Sequence, residues 1–145
     1  MFERILVPVD GTAGSEKAVP YGLELALAQG AEVVVCYVIT KPLTANAAAE
    51  EQAAAKYVNK IAEKFRAAGV VARAQVRHGD PPMEINKAAI DWGIDGIVMA
   101  TRSRRRVEKL MLGSVADLVV RDSSLPVLLV SSRHRLKKPQ RRRAA

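Results

Sequence analysis

Apolar residues arrive along this chain in short continuous runs, separated by longer segments in which they recur every three or four positions. Ile5–Val9 is a short apolar run closed by Asp10-Gly11 and reads as a buried strand entering a loop. From Ser15 to Gln29, residues Ala18, Val19, Gly22, Leu25 and Ala26 keep helical spacing, with Gly30 as the stop. Glu32–Ile39 is continuous and β-branched, the pattern of a second buried strand. Thr44–Ala68 is rich in alanine and spaces Tyr57, Ile61 and Phe65 along one helical face, with Gly69 ending it. Val70–His78 instead alternates through Val70, Ala72, Ala74 and Val76, as a strand with one wetter face does, and suits a sheet edge. Gly79-Asp80-Pro81-Pro82 turns the chain into a short helix over Met83–Trp92 with proline near its first turn. Asp95–Ala100 predicts another buried strand, Ser114–Arg121 a helix and Val127–Val130 a last apolar strand.

This alternation implies an α/β domain: a doubly wound five-stranded parallel sheet with right-handed crossovers and helices on both faces. Spacing alone leaves two strand orders open, 2-1-3-4-5 and 3-2-1-4-5. A chain of 145 residues suits one core, expected over residues 1–132, and aromatic content of only 4% makes that core aliphatic. No apolar run approaches the roughly 20 residues of a membrane span. The apolar run after Glu3-Arg4 is too short for a signal peptide, so the expected location is cytoplasmic. Cys36, the single cysteine, sits in a strand run and reads as a packing residue.

The net charge of +8 points to an acidic partner until its distribution is considered. From Arg133 onward seven residues are basic and none acidic, which leaves the preceding body nearly neutral. The segment 133–145 therefore reads as a disordered basic tail, either solubilising or a salt-dependent tether to nucleic acid or another polyanion.

In open parallel sheets ligands bind beyond the carboxyl ends of the strands, where the strand order reverses. Two loops qualify: Asp10–Ser15, and the arginine-rich stretch from Thr101 to Ser114. Neither carries the G-x-G-x-x-G or G-x-x-x-x-G-K-[ST] pattern of the common phosphate cradles. Gly113-Ser114 precedes a helix and has two readings, an anion site at the helix start or an N-cap serine. Arg102, Arg104, Arg105 and Arg106 are either phosphate partners or a solvated loop. Asp10 suits a ribose, a metal or a simple turn. His78 has no second ligand near it in sequence and reads as structural, and Trp92 and the methionines read as packing residues. No Ser, His and acid trio suggests a nucleophilic enzyme.

These residues resemble the universal stress protein family over nearly the whole body. Arg4-Ile5-Leu6-Val7-Pro8-Val9-Asp10-Gly11 is similar to that family's first strand and loop. Gly79-Asp80-Pro81 with Glu84-Ile85 resembles its turn into a helix, and Asp95–Thr101 also fits. The spacing of the family's ATP motif, G-x-x-G, nine residues, then G-[ST], falls on Ala100, Ser103, Gly113 and Ser114.

The resemblance implies the 3-2-1-4-5 order, a homodimer through the Val127–Val130 edge strand, and bound ATP, with or without Mg2+, serving regulation rather than efficient catalysis. It places Pro8, Val9 and Asp10 against adenosine, Val38 near adenine, and Gly113, Ser114 and Val115 near the phosphates; apart from the resemblance, guanidinium forks on Arg102, Arg104, Arg105 and Arg106 suit phosphate and are candidates to compensate for lost motif glycines. Ala100 and Ser103 replace motif glycines. The first adds only a methyl group; the second costs roughly fivefold in affinity where a positive φ is needed. The alternative function is a homodimeric interaction module that has lost the nucleotide.

Overall fold

A computed structural model describes residues 1–40, 45–101 and 113–131. Their elements run β1 (Arg4–Val9), α1 (Ala13–Glu16), α2 (Ala18–Gln29), β2 (Glu32–Ile39), α3 (Ala47–Ala67), β3 (Ala72–His78), α4 (Pro81–Asp91), β4 (Gly96–Ala100), α5 (Ser114–Asp122) and β5 (Val127–Val130). The five strands form one sheet in the order β3-β2-β1-β4-β5, and every pairing is parallel. Of the two orders the sequence left open, 3-2-1-4-5 is the one adopted. Residues 133–145, together with Arg102, Ser103 and Arg104–Arg106, lie outside the described residues.

Helices cover both faces, which is why the central strands are apolar on both sides. On one face Ile5, Val7, Val33 and Val35 pack against Ala18 and Ala26 of α2 and against Val58, Ile61 and Phe65 of α3. On the other, Leu6, Val34, Cys36 and Ile97 pack against Ile85 and Ala88 of α4 and Val119 of α5. β3 is an edge strand, as its alternation predicts. Ala72, Ala74 and Val76 join the first core, while Gln75 and Arg77 on the opposite face lie half-buried.

The first helix departs from expectation by breaking in two at Lys17. Proline explains the break. Pro20 has no N–H to offer the carbonyl of Glu16, and its ring would collide with that carbonyl in a continuous helix. Gly22 then lets α2 lie close to the sheet: a Cβ there would stand 3.0 Å from Val7 Cγ2 and 3.6 Å from Phe65 Cζ.

Candidate functional site

β1 is hydrogen-bonded to β2 on one side and β4 on the other, and successive crossovers leave this point in opposite directions. The carboxyl ends of β1 and β4 therefore bound the crevice where such sheets take ligands. The Asp10–Ser15 loop leaves β1 here, and Thr101 follows the end of β4.

The loop after β1 is held by short polar bonds among its own residues. Thr12 donates to Asp10 Oδ1 from its backbone amide at 3.0 Å and from its hydroxyl at 2.6 Å. The same hydroxyl oxygen accepts from the Ser15 amide at 3.1 Å and so caps α1. Ser15 Oγ accepts from the Asp10 amide at 3.1 Å and donates to the Thr12 carbonyl at 3.0 Å. Ser15, 5% exposed, is the buried polar residue among those described. Gly11 takes φ +86°, a left-handed turn that side-chain-bearing residues rarely adopt. Asp10 is thus oriented by Thr12 and Ser15, which sequence reading passed over; a threonine three residues before a serine at a helix start was the available signal.

Register sorts the other candidates by face. Pro8 pairs with Cys36 and Val38 with Arg77, and Val38 packs against the α4–α5 core. Val115 joins that core from α5. Val9 instead is 4% exposed within the opposite core, and Ala100, 7% exposed, pairs with Val130 of that core. Val9 and Ala100 consequently offer the crevice backbone rather than side chain. The Gly113 amide donates to the Thr101 carbonyl at 2.7 Å, tying the start of α5 to the end of β4. Gly113 is the N-cap residue and Ser114 the first residue of the helix, which corrects the reading of Ser114 as an N-cap. Glycine has no side chain with which to cap, and among the described residues no side chain caps the first turn of α5. Arg102 and Ser103 are outside the described residues.

Beside Val38, polar groups link β3 to α4. Arg77 Nε lies 3.4 Å from Glu84 Oε1, and its NH1 lies 3.0 Å from Asp91 Oδ2. Gln75 Oε1 accepts from Trp92 Nε1 at 2.7 Å and from Arg77 NH1 at 3.4 Å. Cys36 lies under this cluster. Burial pushes its thiol up to about 12, with Arg77 lowering and Glu84 raising it more weakly, so at neutral pH it is a protonated packing residue. His78 pairs with Glu51 at 2.5 Å. Trp92 packs against the second core as expected, whereas only Met99 among the described methionines is buried and Met83 is 56% exposed. Among the described residues no three His, Cys, Asp or Glu side chains gather as a metal site would, and no helix is long and apolar enough to cross a membrane.

The model of the universal stress protein family matches residues 1–131. Universal stress protein MJ0531 of Methanocaldococcus jannaschii is 32% identical, over 90% of this chain and 82% of its own length. The solved structure of the hypothetical protein MJ0577 superimposes with a TM-score of 0.79 at 26% identity, covering 93% of this chain and 99% of that one. Two further structures share the fold. A universal stress protein in complex with cAMP has a TM-score of 0.72 at 22% identity, covering 90% and 98% of the two chains. One from Archaeoglobus fulgidus in complex with dAMP has 0.67 at 20% identity, covering 88% and 96%. With the family's model matched from the first residue through β5, and its sheet order adopted strand for strand, this chain belongs to the universal stress protein family.

Proposed function

We propose that the protein is a regulatory module that binds an adenine nucleotide, ATP, in the crevice between the ends of β1 and β4. The observation that carries this reading is the bond from Gly113 to Thr101, which holds the start of α5 at the carboxyl end of β4, the strand paired with the β1 that leads into the Asp10 loop. Two proteins of the same fold bind adenine nucleotides, cAMP in one and dAMP in the other. Pro8 and the backbone of Val9 form the floor under adenosine, Asp10 accepts from the ribose, and Val38 flanks the adenine. The Ala100 backbone, Gly113, Ser114 and Val115 approach the phosphates, where amides at a helix start favour negative charge, and the family resemblance adds Arg102 and Ser103. Mg2+ binds through one or two carboxylates together with phosphate oxygens, and Asp10 is a carboxylate placed to serve.

The decisive experiment analyses nucleotide released from the purified, denatured protein and then titrates ATP with and without magnesium. Recovered ATP, or micromolar binding lost in Asp10→Ala and Gly113→Val, supports the reading. An empty protein that ignores added ATP sinks it.

A second reading keeps the fold as a homodimeric interaction module without nucleotide. It is favoured by β5, an edge strand whose Leu128 is 46% exposed, because a second copy pairing there covers the open edge. The seven basic residues from Arg133 onward add a polyanion contact to either reading, tested by comparing salt-dependent DNA retention of the full chain with one ending at Ser132.

A further inference from the structure

Thr101 joins the start of α5 to the end of the last strand. Its amide donates to the Val130 carbonyl at 2.8 Å, and its carbonyl accepts from the Gly113 amide at 2.7 Å. Strand register gives the same closeness. Ala100 pairs with Val130, and the β1–β4 register of Ile5 with Gly96, counted onward, brings Val9 level with Ala100. Because all these pairings are parallel, β1, β4 and β5 release their chains on the same side, that of the crevice. Neighbouring strands stand roughly 4.8 Å apart, which puts the end of β5 on the order of 10 Å from the end of β1.

What the chain sends out from β5 is its basic segment. Arg133, Arg135, Lys137 and Lys138 come between Val130 and Pro139, and the sequence holds no acidic residue from Ser131 to Ala145. A chain advances up to roughly 3.3 Å per residue, so Arg133 is within about 10 Å of Val130 and Lys138 can stand more than twice as far away. The distance to the crevice is therefore spanned. Charge favours the same place, since among the described residues no side chain caps the start of α5 at Gly113, and free amides at a helix start suit an anion. Covalent attachment holds the four cations beside that anion at a concentration on the order of millimolar.

We propose that the basic segment after β5 acts in cis on its own crevice, where Arg133, Arg135, Lys137 and Lys138 supply cations to the outer phosphates of the nucleotide. The assignment rests on the nucleotide reading above and adds a preference to it. Affinity climbs with the number of phosphates, because the added charge meets the segment and not the Asp10 loop.

The test replaces all four with glutamine in the full chain: Arg133→Gln, Arg135→Gln, Lys137→Gln and Lys138→Gln. Residues 1–131, which the family's model matches, are untouched. Binding of ATP and of AMP is measured by equilibrium dialysis over a salt series. Wild type is expected to hold ATP more tightly than AMP. The variant is expected to lose roughly 5- to 10-fold in ATP affinity but less than about twofold in AMP affinity, and its ATP affinity should fall less steeply with salt. Wild type that holds ATP and AMP equally, or a variant whose ATP affinity is unchanged or falls in step with AMP, overturns the assignment while leaving the nucleotide reading in place. DNA retention lost in the variant with ATP affinity unchanged also overturns it and gives the charges to nucleic acid. Wild type that binds neither nucleotide overturns both.

Discussion

Arg77 of β3 and Glu84 of α4 meet at 3.4 Å with only 14% of either side chain exposed, joining an edge strand to the helix that covers it. Removing one member leaves the other only a more exposed partner, Asp91 for Arg77 and Lys87 for Glu84. Arg77→Leu or Glu84→Leu alone is expected to destabilise by about 2–3 kcal/mol. The double substitution should cost clearly less than the two added together, and a double-mutant cycle in urea measures the difference.

Gly22 marks where α2 comes closest to β1. Gly22→Ala gains helix propensity of about 1 kcal/mol but places its methyl 3.0 Å from Val7 Cγ2, so the expected net change is small. Gly22→Val forces the core apart and is expected to cost about 1–3 kcal/mol, read as a lower midpoint in thermal unfolding.

Cys36 carries a pH signature. Its pKa is raised from 9.0 to about 12 in the folded protein, so the folded state holds the thiol proton more tightly than the unfolded chain does. The stabilisation this represents is complete below pH 9 and is lost progressively as pH rises toward about 12, at up to about 1.4 kcal/mol per pH unit. Tyr57, also raised, acts in the same direction. Cys36→Ala is therefore expected to flatten, not abolish, the fall in stability above pH 9, and the wild-type thiol should react with a thiol reagent only on unfolding.

Leu128 is a half-exposed residue of the edge strand β5, on the same sheet face as its β4 partner Val98. Leu128→Arg places a charge where a second copy would pair, and it is expected to turn a sedimenting dimer into a monomer with unchanged circular dichroism. A wild-type chain already monomeric at micromolar concentration removes the edge-pairing proposal.

Ser103 stands where the family's motif has its second glycine. Ser103→Gly is expected to tighten ATP binding roughly fivefold, measured by titration against wild type. No change would mean that this position carries no conformational demand for glycine.

The chain's periodicity by itself determined the succession of strands and helices, because whether a residue is buried on one face or two is written locally. Ile5–Val9 and Val33–Ile39 are continuous apolar runs since helices cover both sides of them, and Val70–Val76 alternates since β3 is an edge. Asp10 and Gly113-Ser114 were legible as loop and helix-start residues for the same reason. What the periodicity could not decide was adjacency. The choice between two strand orders, the burial of Val9 in the core, the edge-on contact of Tyr57 with Tyr37, and the Arg77–Glu84 pair each depend on which distant elements the crossovers bring side by side. Only the tertiary structure settles these, because a side chain's partners are set by packing across elements and not by its own neighbours in the chain.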